Sequence, residues 1–272
     1  MEQTKGSLFH TAAAKAVMVL LVILLAFWIW IKAHGLTEGF ENNLFGALYP
    51  IISLIGGISG IILARRKWGG AKSYIGKGIL FLSYGLLAEV FGQWAWSYFT
   101  IVKGIEVPYP SIADIGYFAI IPFYSYAMYN FAKAAGVKLG LRSMFGKVLA
   151  IVVPVAMFLV AYFMFLKNIE IDPTNPIKTF LDFGYPGFEV IAVSLAILTY
   201  SLSANFLGGI MRSKILLVIF ALVFQYVTDS AFLYQVANGT YYNGGIVDLL
   251  YTLSFTIMAL AVINFTYSLA EA

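Results

Sequence analysis

Four side chains stand out because of where they fall. Glu89 and Gln93 are four residues apart, and so are Gln225 and Asp229, each pair inside a continuous apolar run. Residues four apart share one face of a helix. Each pair therefore puts a carboxyl and an amide side by side in an apolar medium. Glu189 is a third deep acid, and Asp114 and Asp248 stand at the ends of apolar runs. A carboxylate at mid-membrane costs on the order of 2.5–3.5 kcal/mol on insertion scales. Such residues usually face a bundle interior or a wet cavity and mark function. No lysine or arginine lies deep in an apolar run to pair with them. Two chemistries fit this pattern. The acids are protonated or hydrogen-bonded groups that hold helices together, or they form a site for a ligand, a proton or a cation.

The elements that must carry these groups are membrane helices. Hydrophobic residues make up 61% of the 272-residue chain and charged residues 11%, against about 25% charged in a soluble domain. A span needs roughly 20 mainly apolar residues, and the sequence predicts eight: 17–31, 44–63, 78–102, 115–135, 148–166, 183–207, 215–237 and 246–268. The runs are continuous, which excludes the alternating pattern of a membrane β-barrel. The first run is predicted to be a retained helix, since no small-residue cleavage site follows it.

Eight spans place thirteen of the lysines and arginines on one side, including Arg65, Arg66, Lys67 and Lys214. They leave Lys32, Lys103, Lys167 and Lys178 on the other. The positive-inside rule then puts both termini in the cytoplasm of a cell-membrane protein. The net charge of +4 belongs to that topology, and no basic soluble face for nucleic acid exists. The expected partners are the bilayer and a signalling protein or membrane complex met through the basic loops.

Ordered polar markers predict an internal duplication. Tyr49-Pro50 and Tyr185-Pro186 are expected to open equivalent helices, with each proline in a first turn or at a hinge. Asp114-x-x-Tyr117 follows the first and Asp248-x-x-Tyr251 the second, and the pairs at 89/93 and 225/229 fall between these markers. Four spans per copy is an even number, so the copies, residues 1–136 and 137–272, are parallel, with a site expected at their seam. Glu89, Gln93, Glu189, Gln225 and Asp229 line that site, Asp114 and Asp248 shape its mouth, and Trp94 and Trp96 are expected to serve both an interfacial aromatic belt and the pocket.

Other chemistry is narrowed by what the sequence lacks. It has no cysteine, which excludes thiolate sites, and its two histidines, His10 and His34, are expected near membrane surfaces, which excludes a bis-histidine haem in the bundle. No phosphate loop, HExxH motif or Ser-His-Asp set is present. The expectation is a non-enzymatic protein without cofactor; a carboxylate-only metal site stays open. Pro110-Ser-Ile-Ala-Asp114-Ile-Gly-Tyr117, Thr228-Asp229-Ser230 and the stretch from Gly239 to Tyr251 resemble the uncharacterised multi-pass regions ahead of diguanylate cyclase or histidine kinase domains in bacterial and archaeal signalling proteins. In that pattern the Tyr-Pro helix often carries an Asp a few residues on, where this chain has Glu189. The 272 residues hold no cyclase or kinase segment. The resemblance implies a sensor-type membrane module; a proton- or cation-coupled transporter and a structural subunit of a larger complex are the alternatives.

Overall fold

A computed structural model describes residues 11–134, 144–169, 171–203 and 209–266. Within them the chain is helical, with no strand. The helices are α1 (Ala12–Ala33), α2 (Phe40–Leu48), α3 (Pro50–Lys67), α4 (Tyr74–Ser97), α5 (Ile112–Ala134), α6 (Met144–Met164), α7 (Pro176–Ser203), α8 (Gly209–Ala237) and α9 (Ile246–Ile263). Among the described residues six segments are long and apolar enough to cross a membrane: Ala12–Ala33, Phe40–Lys67, Tyr74–Lys103, Pro176–Leu198, Ser213–Ala237 and Ile246–Thr266.

Local sequence sets the helix ends. The Thr11 hydroxyl accepts from the Ala14 N–H at 3.1 Å and caps α1; the Ser73 hydroxyl accepts from the Gly76 N–H at 2.9 Å and caps α4. Both satisfy donors that a helix start leaves open. Left-handed glycines follow the ends of two helices, Gly69 at φ +71° after α3 and Gly104 at φ +62° after a π turn that extends α4, a conformation only glycine adopts freely.

The two Tyr-Pro pairs differ in role. Pro50 is the first residue of α3, as expected. Pro186 does not open a helix; it lies inside α7, ten residues past the start. The true start is Asn175-Pro176, where the Asn175 side chain accepts from the Lys178 N–H at 3.0 Å and Pro176 holds the first helical position, where its missing N–H is not needed. Upstream of Pro50 the chain is also helical, as α2, broken only at Tyr49. Both prolines thus stand ten residues into a 28-residue helical stretch, 40–67 and 176–203.

Packing closes a circuit. α3 packs on α4, α4 on α5, α5 on α7, α7 on α8, α8 on α9, and α9 back on α3; α1 lies outside against α3 and α9, and α6 outside against α7. Large apolar side chains of α1 and α6, such as Val22, Ile23, Ile151 and Phe158, are exposed, while Asn130, Thr252, Ser254 and Thr256 are buried. Apolar outside and polar inside is what a lipid solvent selects. One end of the bundle is basic. There Lys67 donates to the Thr266 carbonyl at 2.7 Å, Trp68 Nε1 to the Phe265 carbonyl at 2.8 Å, and Lys214 to the Asn264 carbonyl. These donors satisfy carbonyls that the end of α9 leaves open.

Candidate functional site

Glu89 sits about two-thirds of the way along α4 and is 3% exposed. It lines a cavity of about 370 Å³ bounded by α4, α5, α7, α8 and α9, within the roughly 300–1,000 Å³ of small-molecule pockets. The cavity runs from Ile121, Tyr124 and Leu222, well inside the bundle, to the loop residues Val107, Pro108, Tyr109 and Tyr241 at the end opposite the basic one. No lysine, arginine or histidine lines it among the described residues.

The polar groups fall into two similar sets. In the second half, the Asp229 carboxylate accepts from Tyr251 OH at 2.8 Å and from Gln225 Nε2 at 3.0 and 3.1 Å. Gln225 Oε1 in turn accepts from the Ser254 hydroxyl at 2.6 Å. In the first half, Tyr117 OH donates to Gln93 Oε1 at 2.6 Å, from α5 to α4 as Tyr251 of α9 donates to Asp229 of α8. The parallel stops at Glu89. Ile120 stands three residues after Tyr117, where Ser254 stands three after Tyr251. No hydrogen bond to the Glu89 carboxyl forms among the described residues. Asp229 and Asp248 lie near enough to act on that carboxyl electrostatically.

The two helix-start acids bind their own loops. Asp114 accepts from the Ser111 N–H at 2.6 Å and from Tyr185 OH at 2.7 Å. Asp248 accepts from the Gly244 N–H at 2.7 Å and from Tyr241 OH at 3.1 Å. Burial raises the Tyr241 phenol well above its ordinary value, and the Asp248 charge adds to the shift, so it keeps its proton and donates. The Tyr109 phenol is raised by burial and then by its bond to Asp182. At the mouth it donates to Asp182 at 2.8 Å, and Lys178 Nζ meets the other Asp182 oxygen at 2.6 Å.

The structure brings Glu89, Gln93, Gln225, Asp229 and Asp114 onto one cavity wall system. Asp248 is buried behind Tyr241 and is not itself a lining residue. Trp94 is not there: it is 44% exposed and donates from Nε1 to the Ala47 carbonyl at 3.1 Å. Trp96, the other expected tryptophan, does line the cavity. The side chain of Glu189 lies outside the described residues; its backbone belongs to α7. The sequence reading missed Tyr124, Tyr226, Ser254 and Asp182 as site groups, and read Tyr117, Tyr185 and Tyr251 as repeat markers only. A signal existed for some of them. Tyr117 and Tyr251 follow an acid by three residues and Ser254 follows Tyr251 by three, which keeps each on one helix face. Among the described residues no three acidic or histidine side chains converge as a metal site.

The Tyr117 bond has a measurable worth. Interhelical hydrogen bonds in membranes average about 0.6 kcal/mol and reach about 1.7. Tyr117→Phe is expected to lower unfolding stability in mixed micelles by an amount in that range, without loss of helix by circular dichroism.

Fold and site together define a membrane protein, helical throughout its described residues, with a largely apolar internal cavity that holds a few acidic and amide side chains. No known protein family, curated protein or solved structure matches the chain.

Proposed function

We propose that this chain is a non-enzymatic, sensor-like membrane module that takes a small ligand or cation from the outer side into an acidic cavity. In this reading it spans the cell membrane eight times, with α5 and α6 as the two further spans, and both termini are cytoplasmic. It consists of two parallel four-helix repeats, α1–α5 and α6–α9, counting α2–α3 as one span. The spacing of elements supports the duplication: 40–67 and 176–203 are equal in length and 136 residues apart, with the prolines in register. The packing supports it too, because α3 on α9 has its counterpart in α7 on α5, as a twofold along the membrane normal requires.

The observation that carries the functional reading is the Glu89 carboxyl, buried in a cavity without a hydrogen-bond partner among the described residues. Polar groups that only join helices are satisfied by the helices they join, as Gln225 is. Sensing is favoured over transport by what lies beneath. Between the cavity floor and the basic end are the buried side chains of Met128, Phe131, Met258 and Phe265, with Phe131 and Phe265 stacked at 5.6 Å between ring centres. Output in this reading passes to a partner through the basic loops.

The chain has no cysteine, so single-cysteine variants test access cleanly. In oriented membranes, Ser111→Cys and Ala192→Cys are expected to react with a membrane-impermeant maleimide added outside, and Ala64→Cys with the reagent on neither side. Reaction of Ala192→Cys from the cytoplasmic side would make the cavity a two-sided path and replace sensing with transport. Protection of Ser111→Cys and Ala192→Cys from both sides would leave only the structural role.

A further inference from the structure

We infer that the cavity is built for an organic ammonium: a single protonated amine, placed on Glu89, attached to an apolar or aromatic body. This rests on the reading of the cavity as a ligand site and names the ligand's chemistry.

Three observations converge. The first is the acceptor. Glu89 is 3% exposed, lines the cavity and has no hydrogen-bond partner among the described residues. The other acids at the wall are already engaged: Asp114 by Ser111 and Tyr185, Asp182 by Lys178 and Tyr109, Asp229 by Tyr251 and Gln225. One open carboxylate matches one cation. The second is the absence of any competing positive side chain along the described wall. An anionic ligand would meet four carboxyl side chains and no cation. The third is the rest of the surface. Ile120, Ile121, Val193 and Leu222 line the deep part, with Tyr124 and Tyr49 beside Glu89. Apolar walls take a hydrocarbon body, and aromatic faces attract a desolvated ammonium. A bare metal ion fits poorly, since hard cations take six or more oxygen ligands and no three acidic side chains converge among the described residues.

Ile120 gives the inference an internal control. Its position in the first half matches Ser254 in the second, where the hydroxyl engages Gln225. Gly116 lies against Ala88 and Gly92, and Tyr124 lies against Gly85, so residue 120 faces α4 at the level of Glu89. An isoleucine there leaves the carboxyl open, and a serine would occupy it.

The test uses the full chain in lipid nanodiscs and three probes of matched shape: protonated phenethylamine, neutral phenethyl alcohol and anionic phenylacetate. Binding is read by calorimetry and by Trp fluorescence. The amine is expected to bind wild type about tenfold or more tighter than the alcohol, a factor that corresponds to about 1.4 kcal/mol, and phenylacetate weakest. Glu89→Gln should bring the amine to the alcohol's affinity and leave the alcohol unchanged. Ile120→Ser should weaken the amine severalfold with the carboxyl intact. Equal binding of amine and alcohol to wild type overturns the ammonium assignment and leaves the ligand-site reading standing. Binding of none of the three overturns both. Should Glu89→Gln not fold, the wild-type comparison and Ile120→Ser decide the matter.

Discussion

Gly116→Ala should destabilise this protein by on the order of 1–3 kcal/mol, the usual cost of forcing atoms into a well-packed contact. The sign is the informative part. In an open helix interior, Gly→Ala gains roughly 0.8–1 kcal/mol. At Gly116 an added Cβ would lie 2.5 Å from the Gly92 nitrogen and 2.6 Å from the Ala88 carbonyl oxygen. Both are backbone atoms of α4, so no rotamer change relieves the clash and α4 and α5 must separate. From the other side, a Cβ on Gly92 would lie 2.7 Å from the Tyr117 ring. Small residues bring membrane helices together in this way. The contact also sets the site, because Gly92 adjoins Gln93, which accepts from Tyr117. Gly116→Ala is therefore expected to lower unfolding stability and to shift cavity ligand binding in the same variant. The control is Gly187→Ala. Nothing lies within 4 Å of a Cβ added at that α7 position, so stability there should hold or rise. Equal responses of the two variants would mean that α4 and α5 do not meet at these glycines.

How far the sequence could be read depended on how rare polar groups are in apolar helices. The pairs 89/93 and 225/229 were legible because few other groups compete for attention, and their period fixes a shared face. Trp94 was misplaced for a reason the same period exposes. It is five residues from Glu89, which turns it well away from that face, while Trp96 is three from Gln93 and seven from Glu89. Counting both tryptophans as one aromatic belt hid the difference. Pro186 was misjudged because its context copies Pro50, yet the capping Asn175 and the first-turn Pro176 carried the real start signal in plain view. What no spacing rule could reach is the contrast between Gln225 and Glu89. It depends on which residue of a neighbouring helix, Ser254 or Ile120, stands opposite, and that is set by packing register.

Asp248→Ala should be the most damaging single change at the mouth, costing on the order of 1–3 kcal/mol, because it leaves the buried Gly244 N–H without its acceptor and leaves the Tyr241 hydroxyl only its second acceptor, Asn243 Oδ1 at 3.1 Å. Asp248 is 1% exposed. It holds the Gly244 N–H at 2.7 Å and the Tyr241 hydroxyl at 3.1 Å, and Gly244 sits at φ +69°, so the tight turn before α9 is fixed from inside. That turn is a junction of three other helices. Trp28 of α1 donates to the Gly245 carbonyl at 3.1 Å, Asn42 of α2 to the Asn243 carbonyl at 2.9 Å, and Trp96 of α4 to Asn243 Oδ1 at 3.2 Å. Loosening it also frees Tyr241 from the cavity wall. Amide exchange across 241–245 should therefore rise in Asp248→Ala together with the loss of global stability. Asp248→Asn keeps one acceptor oxygen and lets the Tyr241 hydroxyl turn to accept, so its effect should be the smaller. Asp114→Ala is the matched comparison in the other half. Asp114 is only part-buried, water can replace its bonds to Ser111 and Tyr185, and its loss should cost less than that of Asp248. If Asp114→Ala proves the more damaging, the outer turn before α9 is not the clasp that these bonds describe, and the two mouth acids have exchanged roles.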